Sequence, residues 1–252
     1  MVKMRRNKWI TYGLPIMCFV FVLLFGAARV YAASAYGFET DDLSAEEKQT
    51  IWQNINVQRI SEFQNLTDFS VPIESFDVSE QGIILLKLKG NIIVVSNEQG
   101  QILSCLEFQD EGASYVKWNV THILLLMERG NLIAELTQNG QMIDMVQEDA
   151  SSIENNAKWN QISQTKSIHI GDADYVLQNR MGFLNFFASG FSQLLKKEKN
   201  GNTIMLYDSS KQQLARTIGI FALVFFFVIL VIAGVIRAVI NSRKGTPPWK
   251  TQ

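Results

Sequence analysis

From residue 70 to 208 the chain is written in short apolar stretches, each closed by a turn-forming residue. "ESFDVSE" (74–80), "GIILLKLKG" (82–90), "NIIVVSNEQ" (91–99) and "QILSCLEFQ" (101–109) are rich in Ile, Val, Leu and Phe. Runs of this length between Gly and Asn predict strands joined by hairpins. Gly90 and Asn91 supply the positive φ of a tight hairpin, and "NEQG" (97–100) reads as a longer turn that ends on Gly100. The unit 70–109 is then an antiparallel meander of four strands.

The pattern returns 40 residues later in 113–148, as "ASYVKWNV", "THILLLMERG", "NLIAELTQNG" and "QMIDMVQE". Gly130, Asn131 and Gly140 stand where Gly90, Asn91 and Gly100 stood. The same sentence is written twice because the same two turns are needed twice. A diverged third copy spans 166–208, with strands at "KSIHIGD", "ADYVLQNR", "SQLLKKEKNG" and "NTIMLYD" and a last hairpin at Gly201. Between its second and third strands lies an insertion, "MGFLNFFASGF" (181–191). Ahead of the repeats, "RISEFQN" (59–65) alternates weakly, as a stray strand would. "DDLSAEEKQTIWQNI" predicts a short helix or linker within 41–56, with Ser44 ahead of Glu46 and Glu47, acids that suit a helix N-terminus.

Two stretches have no polar period at all: 9–28, "WITYGLPIMCFVFVLLFGAA", and 217–236, "TIGIFALVFFFVILVIAGVI". Each reaches the roughly 20 residues that cross a hydrocarbon core as a helix. The second predicts a transmembrane helix over 217–240. The first, within 9–32, admits two readings. Its basic start and the small residues of "VYA" and "ASA" suit a cleaved signal, while its length and Arg29 suit a retained anchor. Cys18 lies inside the apolar run, which does not fit a lipoprotein.

A repeated meander of about 40 residues whose strands end on glycine resembles a β-propeller blade. The resemblance covers 70–208 and is nearest to NHL, YWTD and quinoprotein-type blades. The WD, YWTD and NHL signatures themselves are absent, so it implies a fold and no activity. Closed propellers use about four to eight blades, so three units imply an open array, a ring completed by a second chain, or a sandwich. The whole arrangement also resembles membrane-anchored repeat proteins of Gram-positive bacteria. The expected fold is an all-β domain of about three four-stranded blade-like repeats, an incomplete propeller, with one or two transmembrane helices.

Charge gives the chain a direction. All 24 acidic residues lie between Glu39 and Asp208, and 36–215 carries 24 acidic against 13 basic residues, a net −11. Such a middle argues against nucleic acid as a partner. Lys3, Arg5, Arg6 and Lys8 in 1–8, and the basic tail 241–252, mark cytoplasmic ends. The domain 59–210 is therefore expected outside the cytoplasm, at a cell membrane.

Chemistry is sparse. His122 and His169 lack zinc-ligand spacing, and no nucleophile elbow or phosphate loop is legible. "GDAD" (171–174) has two of a calcium loop's ligands and reads as a turn. Cys105 has no cysteine partner in the outer domain and reads as a small core residue. "KKEK" (196–199) reads as a solvated hairpin tip. No catalytic residue, cofactor or metal site is expected. The insertion breaks the pattern: Phe183, Phe186, Phe187 and Phe191 with no charge among them. One reading is a plug, with Phe183, Phe186 and Phe187 buried against the blades. The other is an aromatic lobe that touches the membrane or a partner. The expected role is a non-enzymatic, membrane-anchored binding or scaffolding module of a bacterial envelope, with the bilayer and an envelope protein or a second copy as partners. The alternatives are a sensor that signals through a partner, or an enzyme with an acidic site.

Overall fold

The computed structural model describes residues 36–180, 182–188 and 190–244; of residues 183, 187 and 241–244 only the backbone is described. The N-terminal stretches 1–8 and 9–32, and residues 245–252 of the tail, lie outside the described residues. The chain runs β1 (Thr40–Asp42), α1 (Ala45–Ile55), β2 (Gln58–Arg59), β3 (Ile73–Val78), β4 (Ile84–Leu88), β5 (Ile92–Ser96), β6 (Ile102–Glu107), β7 (Ser114–Asn119), β8 (His122–Met127), β9 (Leu132–Leu136) and β10 (Met142–Glu148). It continues through α2 (Ile153–Gln164), β11 (Ser167–Ile170), β12 (Ala173–Gln178), β13 (Gln193–Glu198), β14 (Thr203–Asp208) and α3 (Ser210–Lys244).

The strands form three antiparallel meanders, β3 to β6, β7 to β10 and β11 to β14. These are propeller-like blade repeats, and among the described residues they are fewer than a closed ring uses. One turn recurs through all three. Gly82, Gly100, Gly140 and Gly201 each donate their amide to the carbonyl three residues back, on Ser79, Asn97, Thr137 and Glu198. Each of those four residues in turn donates its own amide to the carbonyl just after the glycine. The glycine φ values, 77°, 79°, 82° and 87°, fall where a Cβ is strained. Ser79, Asn97 and Thr137 add a side-chain bond, accepting from the amides of Ile83, Gln101 and Gln141. A short polar residue three places before glycine is thus the written form of the turn.

The other hairpin repeats less closely. Gly90 and Asn91 have φ of 92° and 59°, and Gly130 and Asn131 have 85° and 52°. Yet Leu88 pairs with Ile92, whereas Met127 pairs with Leu132. The second copy thus carries one more loop residue, and its entering strand is shifted by one position relative to the first.

The chain divides into two compact units. The first holds the described residues up to Arg59 and Glu107–Thr165. Its sheet is ordered β1-β10-β9-β8-β7, with Thr40 opposite Glu148. β1 was not expected: Asp41 and Asp42, read as helix, are strand, and α1 begins only after Ser44. Ser44 accepts from the amide of Glu47, whose carboxylate returns a bond to the Ser44 amide, a capping box. α2 was not expected either. Its Trp159 and Ile162 pack on Phe38, Leu124, Leu126, Ile133 and Val146. The fully buried Asn155 accepts from the Glu39 amide at 2.8 Å and donates to the carbonyls of Glu39 (2.8 Å) and Asp149 (3.1 Å). One side chain so stands in for a strand partner where the sheet ends.

The second unit holds Ile60–Leu106 and the described residues from Lys166 on. Here the first and third meanders share one core. Phe76, Ile84, Leu86, Leu88 and Val94 from one meet Tyr175, Leu177, Leu194 and Leu206 from the other. The Tyr207 hydroxyl donates to the carbonyl of Val71. The stretch 59–65, read as a stray strand, is strand only at Arg59; beyond it, Asn65 makes a single bridge to Gln101. Cys105, 1% exposed, belongs to this core.

α3 follows β14 with one residue between them, Ser209. The Ser209 amide donates to the carbonyl of Ser192 at 2.8 Å, and Gln213 Nε2 donates to Ser209 Oγ at 3.0 Å. Ser192, Ser209 and Gln213 are buried. The helix is therefore an extension of the blade with a hydrogen-bonded base, not a tethered element. From Ser210 to Ile240 it is long and apolar enough to cross a membrane. From Ile218 to Ile240 its apolar side chains are exposed.

Candidate functional site

The second unit gathers its polar side chains at one place. Glu98 sits in the turn that closes β5 and β6. It accepts from Lys196 of β13 at 2.6 Å and from the Tyr175 hydroxyl of β12. The Lys196 ammonium also stands 5.8 Å from the centre of the Tyr175 ring. Lys196 was read as part of a solvated tip. The tip is the turn at 199–201, and Lys196 lies inside β13, where its pair with Glu98 satisfies the charge.

Two clefts open on either side of this group. One, of about 540 Å3, is lined by Asn65, Thr67, Gln99, Ile204 and Met205. The other, of about 560 Å3, is lined by Glu80, Gly171, Asp172, Lys199 and Asn200. Glu98, Lys196 and Glu198 form the wall between them.

Electrostatics define what this wall can do. Burial pushes the Glu98 carboxyl up, but the bonds from Lys196 and Tyr175 and the charge of Lys196 together outweigh it, leaving it below the ordinary glutamate value. Burial, then the bond to Glu98, pushes the Tyr175 phenol well up. Glu98 stays ionised and Tyr175 stays protonated. That is a clasp with a fixed charge pattern; a general base needs the opposite shift.

The first unit has its own polar cluster. Glu135 accepts from Asn119 Nδ2 at 2.9 Å and from the Tyr36 hydroxyl at 3.3 Å, and His122 Nδ1 lies 3.0 Å away. Tyr36 lies 3.0 Å from Asp144, which accepts from Lys48 at 2.6 Å. Burial pushes the Tyr36 phenol up, and the two carboxylates add to the shift. His122 therefore has a specific partner that its place at a strand start did not suggest. His169 pairs with Asp174 at 2.8 Å, within "GDAD" itself. Among the described residues no three His, Cys, Asp or Glu side chains are placed to hold a metal ion.

Within the insertion 181–191, Phe186 is not buried against the blades as the plug reading expected. Gly182–Phe187 winds as a 3-10 turn. Leu184 takes the inward position at 8% exposure, and Phe186, two residues on, is 88% exposed. The side chains of Phe183 and Phe187 lie outside the description. Phe191 joins the core margin, and its backbone exchanges two 2.8 Å bonds with Ile73.

No protein-family model and no curated protein matches the chain. Among solved structures, it is similar to a virginiamycin B lyase from Staphylococcus aureus, at 14% identity over 60% of this chain and 45% of that one, with a TM-score of 0.28. It is also similar to Hsv2 of Kluyveromyces lactis, at 11% identity, 55% and 38% coverage and a TM-score of 0.27. BamB from Moraxella catarrhalis matches at 12% identity, 50% and 37% coverage and a TM-score of 0.23. The chain spans less than half the length of each. The blades are defined by this chain's own strand order, register and turns.

Proposed function

We propose that this chain is a membrane-anchored, non-enzymatic binding or scaffolding module of a bacterial envelope, with residues 59–210 on the extracytoplasmic side. The observation that carries the reading is α3. An apolar helix with exposed sides grows directly out of the last blade strand, and an exposed apolar helix of that length is stable in lipid and not in water. The charge pattern supports the sidedness, with residues 36–215 at a net −11 between basic ends. The clasp at Glu98 supports binding over catalysis, since its ionised groups are already paired and the clefts beside it remain open.

The hydrogen-bonded junction at Ser209 favours one second reading. A domain fixed to its helix could pass strain to a partner helix in the membrane, as a sensor does.

Washing membranes from cells that make the full chain with alkaline carbonate tests the anchor. The protein stays with the membrane pellet; its release into the supernatant refutes the anchor.

A further inference from the structure

The insertion is held against the base of α3. Its return, Phe191, is fixed at the foot of α3: Gln213 Nε2 donates to the Phe191 carbonyl at 3.4 Å. The 3-10 turn Gly182–Phe187 itself touches α3. Gln213 is four residues ahead of Thr217, where the uncharged run begins. At 1.5 Å per residue that is only about 6 Å along the helix axis. The lobe therefore sits at the level where headgroups meet acyl chains if α3 spans a bilayer.

Its shape is set from within. Leu184 is buried, and Gly190 passes so close to the neighbouring strand that a Cβ there would lie 2.7 Å from the carbonyl of Ile73. Phe186 is then presented outward, the most exposed large apolar side chain among the described residues. No residue of 181–191 is charged. Cations stand instead on the segments that flank and hold it. Lys166 stands 5.8 Å from the centre of the Phe191 ring, the Arg180 amide is bonded to Ser192, and Lys211 and Arg216 lie on the first turns of α3. All four side chains are exposed. In a domain of net negative charge this basic end fits phosphate headgroups, and an aromatic wedge between them fits the interfacial zone.

We propose that the lobe at Phe186 is a second membrane contact: Phe186 enters the interfacial layer of the leaflet on the domain's side, with Lys166, Arg180, Lys211 and Arg216 facing headgroups. The contact rests on the membrane reading above and adds a fixed tilt of the blades against the bilayer. It also explains why cations stand at the outer end of a helix whose basic flank belongs on the other side.

The test uses the full chain carrying Cys18→Ser, with a fluorophore (NBD) on Phe186→Cys or, separately, on Val228→Cys in the middle of α3. Each is reconstituted into phosphatidylcholine–phosphatidylglycerol vesicles that contain lipid with a nitroxide quencher near the headgroup or deep in the chain. At 186 the expected result is blue-shifted emission and at least twofold quenching by the shallow nitroxide. At 228 the deep nitroxide quenches more. Water-like, unquenched emission at 186 with deep quenching at 228 overturns the lobe contact, leaves the anchor standing and makes the lobe a surface for a protein. Unquenched emission at both positions overturns the anchor and the lobe contact together.

Discussion

Lys196 donates to Glu98 across 2.6 Å, and the two are 98 residues apart in the chain. The bond joins the β5–β6 turn of the first meander to β13 of the third, next to their shared core. It has a pH signature. The folded-state pKa of Glu98 is lowered, so its contribution is complete above the unfolded value and is lost as pH falls through the folded one. The side chains are 14% and 33% exposed, so solvent screens the pair and it contributes about 1 kcal/mol. Lys196→Met lowers stability by that amount at pH 7 in urea melts. The gap from wild type narrows as the pH is taken down through the acid range below about 4. A gap that stays constant with pH contradicts the role given to the pair.

Gly82 faces the same carboxylate. A Cβ on Gly82 would lie 2.5 Å from Glu98 Oε1, and its φ is +77°. Gly82→Ala therefore costs backbone strain, about 1 kcal/mol or more, and also displaces Glu98 from Lys196 and Tyr175. In a double-mutant cycle with Glu98→Ala, a coupling of at least about 0.5 kcal/mol is expected. Additive losses would show that Glu98 moves aside freely.

Gly100 and Gly140 close the same turn in different meanders. The nearest atom a Cβ on Gly100 would meet is Leu66 Cβ at 4.0 Å, so the loss there is conformational and not steric. Alanine at either position is expected to cost roughly 1 kcal/mol, with the two values similar. A large cost at one and none at the other in denaturant melts contradicts their equivalence.

Asn155 makes three bonds to main-chain groups that have left the regular ladder. Asn155→Ala leaves the Glu39 amide unpaired and is expected to cost about 1–3 kcal/mol. Hydrogen exchange at Glu39 reads it directly and should accelerate in the variant. Unchanged exchange would mean that β1 is held by other contacts.

The blades were legible because turn chemistry is local. Thr137 and Gly140 are three residues apart, so the turn they make is written in one short stretch. The clasp was not legible, since nothing in "KKEK" distinguishes Lys196 from its neighbours until β13 is laid beside the Glu98 turn. Likewise His122 and Tyr36, 13 and 99 positions away in the sequence, meet Glu135 only once the chain between is folded. α2 escaped because its apolar stripe is thin, resting on Trp159 and Ile162. The exposure of Phe186 was not legible because apolar composition does not say which side chain of a short turn faces inward. Among the described side chains of the 3-10 turn, Leu184 takes the inward place and Phe186 is left outside.

The central claim is a blade domain outside the cell, built directly onto a membrane helix. Protease added to intact cells tests it most directly. The account predicts loss of epitopes within 36–208 and survival of a small membrane fragment that carries the C-terminal tail. A domain that resists protease in intact cells and is digested only after lysis would contradict it.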